Sequence, residues 1–209
     1  RMRRGIPSLF RDLRQLHQDP KKLVQLTTMI SGYVASLGAE GRFTSDQEKN
    51  AEAPSALVWA LYFQAQQLDL AGDQLSALAT VDRLIKHTLT AVDSYVLKAR
   101  ILKHAGDLPS AHVFMDQARR MDTADRYLST KCTRYALRAL DVPQAEETVT
   151  LFLRDGDTLI SLYDMQCSWY ENACGDTFVA QGDSAKALKN YTSVIKHFHD
   201  FEEDQFDFH

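Results

Sequence analysis

The chain has 209 residues, with 24 Lys and Arg against 28 Asp and Glu, for a net charge of −4. Its 44% hydrophobic and 25% charged residues exclude wholesale disorder, a collagen-like repeat and a disulfide scaffold. Nine Gly and five Pro are few for this length, which argues against an all-β chain rich in tight turns.

The charge is unevenly placed. Residues 1–22 carry Arg1, Arg3, Arg4, Arg11, Arg14, Lys21 and Lys22 against Asp12 and Asp19, whereas residues 200–209 carry five acids and no Lys or Arg. Arg-Met-Arg-Arg opens the chain with no apolar run behind it, so no signal peptide is expected. No window approaches 18 uninterrupted apolar residues, so no membrane-spanning helix is expected either. Cys132, Cys167 and Cys174 lack C-x-x-C spacing and read as free thiols in the cytosol.

In chain order, Pro7 opens a predicted helix over 7–17 carrying Leu9, Phe10, Leu13 and Leu16. Asp19-Pro20 then reads as a capping residue and a first-turn proline. Leu23, Leu26, Ile30, Val34 and Leu37 mark one helical face, which Gly38 is expected to stop. The polar stretch 38–54 reads as a loop. Further helix pairs are predicted at about 55–88, 92–121, 125–155 and 162–199. No segment shows the apolar–polar alternation of a strand.

The later pairs repeat. Gly72-Asp73 recurs as Gly106-Asp107, and Ala77, Ala111 and Ala145 are each 34 residues apart. Gly182-Asp183 with Ala187 arrives 42 residues after Ala145, so eight extra residues separate copies three and four. Thirty-four is the period of the tetratricopeptide helix–turn–helix unit. Small residues are expected where paired helices approach: Ala65, Ala99, Thr133 and Gly175 on first helices, Ala77, Ala111, Ala145 and Ala187 on second. Leu68, Leu102, Phe178, Val81, Met115, Val149 and Tyr191 should fill the groove between. Copy three is degenerate, with Leu140-Asp141 in place of Gly-Asp. The predicted fold is an all-α, right-handed α-solenoid spanning 1–209 as one segment. Its abrupt ends are expected to make it a fragment of a longer array.

No Gly-rich phosphate loop, G-x-S-x-G or H-E-x-x-H occurs, so no catalytic, cofactor or metal residue is assigned. His197 and His199, two apart, point in different directions on a helix and read as a solvated end rather than a metal pair. His104 reads as a surface residue at a helix C-terminus. The cysteines read as small core residues. Lys131, Arg134 and Arg138 recur at i, i+3 and i+7, with Tyr135 beside them and Lys98 and Arg100 on the preceding first helix. Such a stripe is either a solvated face or a contact for a polyanion or acidic partner. Trp59 and Trp169, each on a first helix, are either groove-filling or binding anchors.

Tyr95-Val-Leu-Lys-Ala-Arg-Ile-Leu-Lys-His-Ala-Gly-Asp107, Met115 through Asp-Thr-Ala-Asp-Arg126 to Lys131-Cys132, Arg4-Gly-Ile-Pro7, Asp164-Met-Gln-Cys-Ser-Trp169 and Asp204-Gln-Phe-Asp-Phe-His209 together carry a resemblance. The chain resembles the auxiliary subunit of the N-terminal acetyltransferase A complex over essentially its whole length. The resemblance implies a non-catalytic, tetratricopeptide-repeat scaffold that holds a separate catalytic acetyltransferase and anchors it at the ribosome, in the cytoplasm. Acetyl-CoA would bind the partner subunit. Complexes of that family can hold an inositol polyphosphate at the subunit interface; the charge pattern, not a matched motif, makes Lys131, Arg134, Tyr135 and Arg138 the residues expected to meet it. No membrane or direct DNA contact is implied. The alternative is a generic tetratricopeptide adaptor gripping a peptide or acidic tail. Such adaptors use a clamp of Lys, Asn and Arg, but small side chains (Ala65, Ala99, Thr133) occupy the equivalent positions here.

Overall fold

The computed structural model describes residues 2–43, 51–154 and 156–206, which fall into two compact units, Arg1–Asp107 and Leu108–His209. All regular structure among them is helical. The all-α fold of tetratricopeptide-type helical hairpins is as expected.

The first unit opens with a 3-10 turn over Met2–Arg4 and α1 (Leu9–Asp12), followed by a second 3-10 turn over Arg14–Gln18. The continuous helix expected over 7–17 is therefore broken. Ser8 offers no capping bond, and Leu13 leaves helical geometry at φ −93° and ψ 6°. A single turn gains little from helix cooperativity, and packing decides its shape instead. The Phe10 ring sits edge-on to Phe63 with centroids 5.4 Å apart, and Leu9 and Leu13 join the cluster of Leu26, Ile30 and Phe63.

α2 (Pro20–Glu40) starts where the sequence indicates: the Asp19 side chain accepts from the backbone N–H groups of Lys21 and Lys22. It does not stop at Gly38. Gly41 takes the left-handed conformation (φ +67°) and donates its N–H to the Leu37 carbonyl, so the cap falls three residues later. Of the loop expected over 38–54, residues 44–50 lie outside those described.

α3 (Ser55–Leu70) and α4 (Gln74–His87) form the first regular hairpin, followed by α5 (Val92–His104). Ala65 and Ala77 have no exposed surface and pack with Val81, Leu97 and Ile101. A methyl at these contact points lets the helix backbones approach closely, and larger neighbours close the remaining space.

The second unit holds α6 (Leu108–Met121), α7 (Arg126–Arg138), α8 (Val142–Thr150), α9 (Leu159–Asp164), α10 (Ser168–Ala180) and α11 (Ser184–Phe206). Ala136, Leu137, Ala145, Leu162, Tyr170 and Cys174 form its buried cluster. Ala111, Thr133, Ala145, Gly175 and Ala187 are all buried, as the repeat alignment requires.

One turn recurs through both units. The N–H groups of Asp73, Asp107, Asp141 and Asp183 reach back to the carbonyls of Leu68, Leu102, Ala136 and Phe178 at 2.9–3.0 Å. The residue before each Asp is left-handed: Gly72, Gly106 and Gly182, but Leu140 (φ +62°) in the degenerate third copy. Asp73, Asp141 and Asp183 then cap the next helix through Ser76, Gln144 and Lys186. The aspartate both closes one helix and opens the next.

A fifth turn of this form was not anticipated. Gln166 is left-handed at φ +55°, and the Cys167 N–H reaches the Leu162 carbonyl at 2.9 Å. The helix expected from 162 is therefore interrupted. α9 accounts for much of the extra sequence between copies three and four, Cys167 caps rather than joins a first helix, and α10 begins at Ser168. α8 ends at Thr150, short of the expected 155, and α11 runs past 199 to Phe206.

Candidate functional site

The basic stripe on α7 divides once it is folded. Tyr135 faces inward at 7% exposure and belongs to the core. Lys131 sets its ammonium 5.4 Å from the Tyr127 ring centroid. Arg134 lays its guanidinium 4.7 Å over the Trp169 ring of α10, and Arg138 is exposed one turn further on. Arg134, Arg138 and Trp169 line one cleft of about 400 Å³, together with Asn172, Asp176 and Thr177.

Two of these residues are held by bonds to their surroundings. The Asp176 carboxylate accepts from the Tyr191 hydroxyl at 2.7 Å, and the Thr177 hydroxyl donates to the Leu137 carbonyl at 3.0 Å. The cleft thus offers one stacked and one open guanidinium on a fixed aromatic wall. An arginine in such a stack keeps its donor edge available for carboxylate or phosphate.

A second cleft of about 370 Å³ opens where the repeat period is broken. Arg126, Arg154, Thr130, Phe152 and Met165 are among the residues that line it, and the Arg126 guanidinium stands 5.3 Å over the Phe152 ring. The stripe did not include Arg126 or Arg154. The eight-residue excess between copies three and four was the one sequence signal marking this place.

Other cations are committed elsewhere. Lys98 binds Asp82 at 2.7 Å, so it does not extend the stripe. Asp116 holds both Arg119 and Arg120 at 2.6 Å, and those bonds lower its pKa against the opposing effect of burial. His104 lies at the end of α5, as expected, and is fixed by Asp69 at 2.9 Å.

His197 corrects the reading of a solvated helix end. Its Nε2 lies 2.9 and 3.0 Å from the two oxygens of Glu171, whose side chain has no exposed surface. A buried carboxylate needs such a partner. The three cysteines are unpaired. Burial pushes the Cys132 thiol up to about 12 and the Cys174 thiol up to about 11, which makes both poor nucleophiles.

Trp59 is covered rather than offered. Gly5, left-handed at φ +61°, passes so close to the indole Nε1 that a methyl there would overlap it. Trp59 also meets Tyr62 edge-on at 5.6 Å. No helix among the described residues is long and apolar enough to cross a membrane.

Repeated helical hairpins, a shared Asp-capped turn and small residues at each crossing define a tetratricopeptide-type repeat protein. The family model for N-terminal acetyltransferase A, auxiliary subunit, matches residues 1–209. The chain belongs to that family. It is 46% identical over 206 residues to the auxiliary subunit NAA15 of the N-terminal acetyltransferase A complex of Arabidopsis thaliana, covering 99% of this chain and 23% of that protein. It is 36% identical over 207 residues to N-alpha-acetyltransferase 16, NatA auxiliary subunit, of Homo sapiens, covering 99% and 24%. The chain therefore spans about a quarter of the length of these relatives. Among solved structures, Naa15/Naa10 bound to HypK-THB superposes with a TM-score of 0.85 at 33% identity, covering 99% of this chain and 30% of that one. MamA, at 13% identity and a TM-score of 0.52 over 83% of this chain and 89% of that one, shares the fold alone.

Proposed function

We propose that this chain is a segment of a non-catalytic scaffold that binds a separate catalytic acetyltransferase and supports co-translational N-terminal acetylation at the cytoplasmic ribosome. The single observation that carries the reading is the family match across residues 1–209. The similarity to Naa15, solved in complex with Naa10, supports a catalytic partner chain. Acetyl-CoA belongs to that partner. The test is affinity purification of the full-length protein followed by acetylation assays on the eluate. An acetyltransferase should co-purify, and its peptide preference should differ from that of the free catalytic chain. Recovery of no acetyltransferase would overturn the reading.

We also infer that α7 contributes to a polyanion contact, with an inositol polyphosphate as the ligand class. Arg134 and Arg138 remain candidates, because both line a cleft and present guanidinium donors. Lys131 contributes charge from the same helix face, whereas buried Tyr135 supports the helix from within. Calorimetry with inositol hexakisphosphate on the purified complex tests this. Arg134→Glu/Arg138→Glu should weaken binding at least tenfold. If Arg126→Glu/Arg154→Glu alone weakens it, the contact lies in the second cleft.

A further inference from the structure

Trp59, Phe63 and Gln66 are spaced i, i+4 and i+7 on α3 and share one face of that helix. The short turns of Met2–Gln18 lie against it. Leu9, Phe10 and Leu13 pack with Phe63, and the Gly5 backbone passes beside the Trp59 indole nitrogen. Between these turns and α3 lies a void of about 10 Å³. Ile6, Leu9 and Phe10 line it from one side, and Trp59, Phe63 and Gln66 from the other.

Gln66 is 7% exposed, and its side-chain carbonyl oxygen Oε1 is buried without a hydrogen-bond partner. The turns facing it spend donors on themselves. The Gly5 N–H goes to the Met2 carbonyl at 3.1 Å and the Leu9 N–H to the Ile6 carbonyl at 3.3 Å. Pro7 has no N–H to give. On the α3 side, the Trp59 indole N–H has no hydrogen-bond partner among the described residues. A free donor and a free acceptor are therefore carried by two side chains that border one small space.

We propose that this void is a binding site for one ordered water molecule, which accepts from the Trp59 N–H and donates to the Gln66 carbonyl. About 10 Å³ is the room a single water occupies, and two polar neighbours are what a retained water needs. A buried amide oxygen without a donor is costly, and at this size water is the ligand that both donates and accepts. A metal cation would need several oxygen ligands, of which Gln66 offers one. An anion would find one indole N–H. The water lets the opening turns close over α3 without stranding the amide. The docking of Met2–Gln18 thus depends on Gln66 although no direct hydrogen bond joins them.

The site rests on packing alone, so it stands or fails separately from the acetyltransferase reading. The experiment is hydrogen exchange with mass spectrometry on the full-length protein, following peptides from residues 2–18 in wild type and Gln66→Met. Methionine keeps the length of the side chain but offers no comparable acceptor. With water in the void, Gln66→Met removes one of its two partners, and exchange over 2–18 should rise by about threefold or more. With a dry void, the same substitution removes a stranded acceptor and fills space, so exchange should slow. Gln64→Met is the control on the same helix, because the Gln64 amide donates to Ser31 and does not line the void. A crystal structure of the full-length protein that resolves ordered waters should show density bonded to Trp59 Nε1 and Gln66 Oε1. If Gln66→Met does not fold, that density decides alone. Unchanged or slower exchange in Gln66→Met would overturn the proposal, as would an equal rise in Gln64→Met or a void without water density.

Discussion

The Tyr191 ring lies directly on the backbone of Gly175, so close that a methyl on Gly175 would stand 2.5 Å from the ring Cε1 and 2.8 Å from Cζ. The ring cannot swing aside freely, because its hydroxyl is bonded to Asp176. This is the closest form of the small-residue crossing that recurs along the chain: α10 gives up its side chain entirely so that an aromatic can sit on it.

Gly175→Ala should therefore destabilise the second unit by about 1–2 kcal/mol, the overpacking cost exceeding the gain in helix propensity. Urea unfolding measures it. Adding Tyr191→Leu should recover part of the loss, and strict additivity of the two substitutions would show that they do not touch.

The Glu171–His197 pair predicts an asymmetric double-mutant cycle. His197→Leu leaves a wholly buried carboxylate alone and should cost about 3–5 kcal/mol. Glu171→Gln should cost less, since the amide still accepts a hydrogen bond. Glu171→Leu/His197→Leu should lie well above His197→Leu in denaturant midpoint, and Glu171→Leu as the second single variant closes the cycle that gives the coupling.

Thiol chemistry should follow burial. At pH 8 in the native protein, Cys132 and Cys174 should resist iodoacetamide, being buried and held far from the thiolate form. Cys167 is half-buried and its thiol is raised too, mainly by burial, so it should react slowly but first. All three should label fully in denaturant. Rapid native labelling of Cys132, read by peptide mass spectrometry, would contradict the packing around α7.

His112 sets a pH dependence. Burial lowers its pKa from 6.5, outweighing the opposing pull of Asp116 and Asp141. Its Nε2 is buried without a hydrogen-bond partner. A histidine whose folded pKa is depressed binds its proton more readily when unfolded. Its contribution is thus fully present above pH 6.5 and is lost as the pH falls from there through the lower folded value. Between pH 7.5 and 5.5 the wild-type urea midpoint should drop further than that of His112→Gln.

Leu140 predicts a gain. It adopts the left-handed conformation that Gly72, Gly106 and Gly182 hold at the equivalent turns. Leu140→Gly should relieve strain and raise stability by up to about 1 kcal/mol, net of the entropy added to the unfolded chain. A fall in thermal midpoint would show that the Leu140 side chain contributes more than its backbone costs.

The repeat was legible because its physics is local and periodic. Small residues at Ala65, Ala77, Ala111 and Ala145 and the Asp after each turn announce where helices cross and cap. Even the degenerate third turn could be placed, since Asp141 and Pro143 keep the start of α8. What sequence did not show was set by partners distant along the chain. Nothing near His197 indicates Glu171, 26 residues away. Nothing near Arg134 indicates that Trp169 will become its platform. α9 escaped notice because six residues carry too little periodicity to distinguish a helix from a loop. Gln166 then took a conformation that usually signals Gly. Tyr135 lies one turn on from Lys131 beside the cations, and its burial against the rest of the fold, which the stripe's spacing does not show, removes it from them.

Trp59 lies against Gly5 in the first unit and Trp169 under Arg134 in the second, and the chain has no other tryptophan. Each half thus carries its own fluorophore. Trp169→Phe leaves emission that reports only the first half, and Trp59→Phe leaves emission that reports only the second. Paired melts of the two single-tryptophan proteins would show directly whether the halves unfold as one cooperative body or as two.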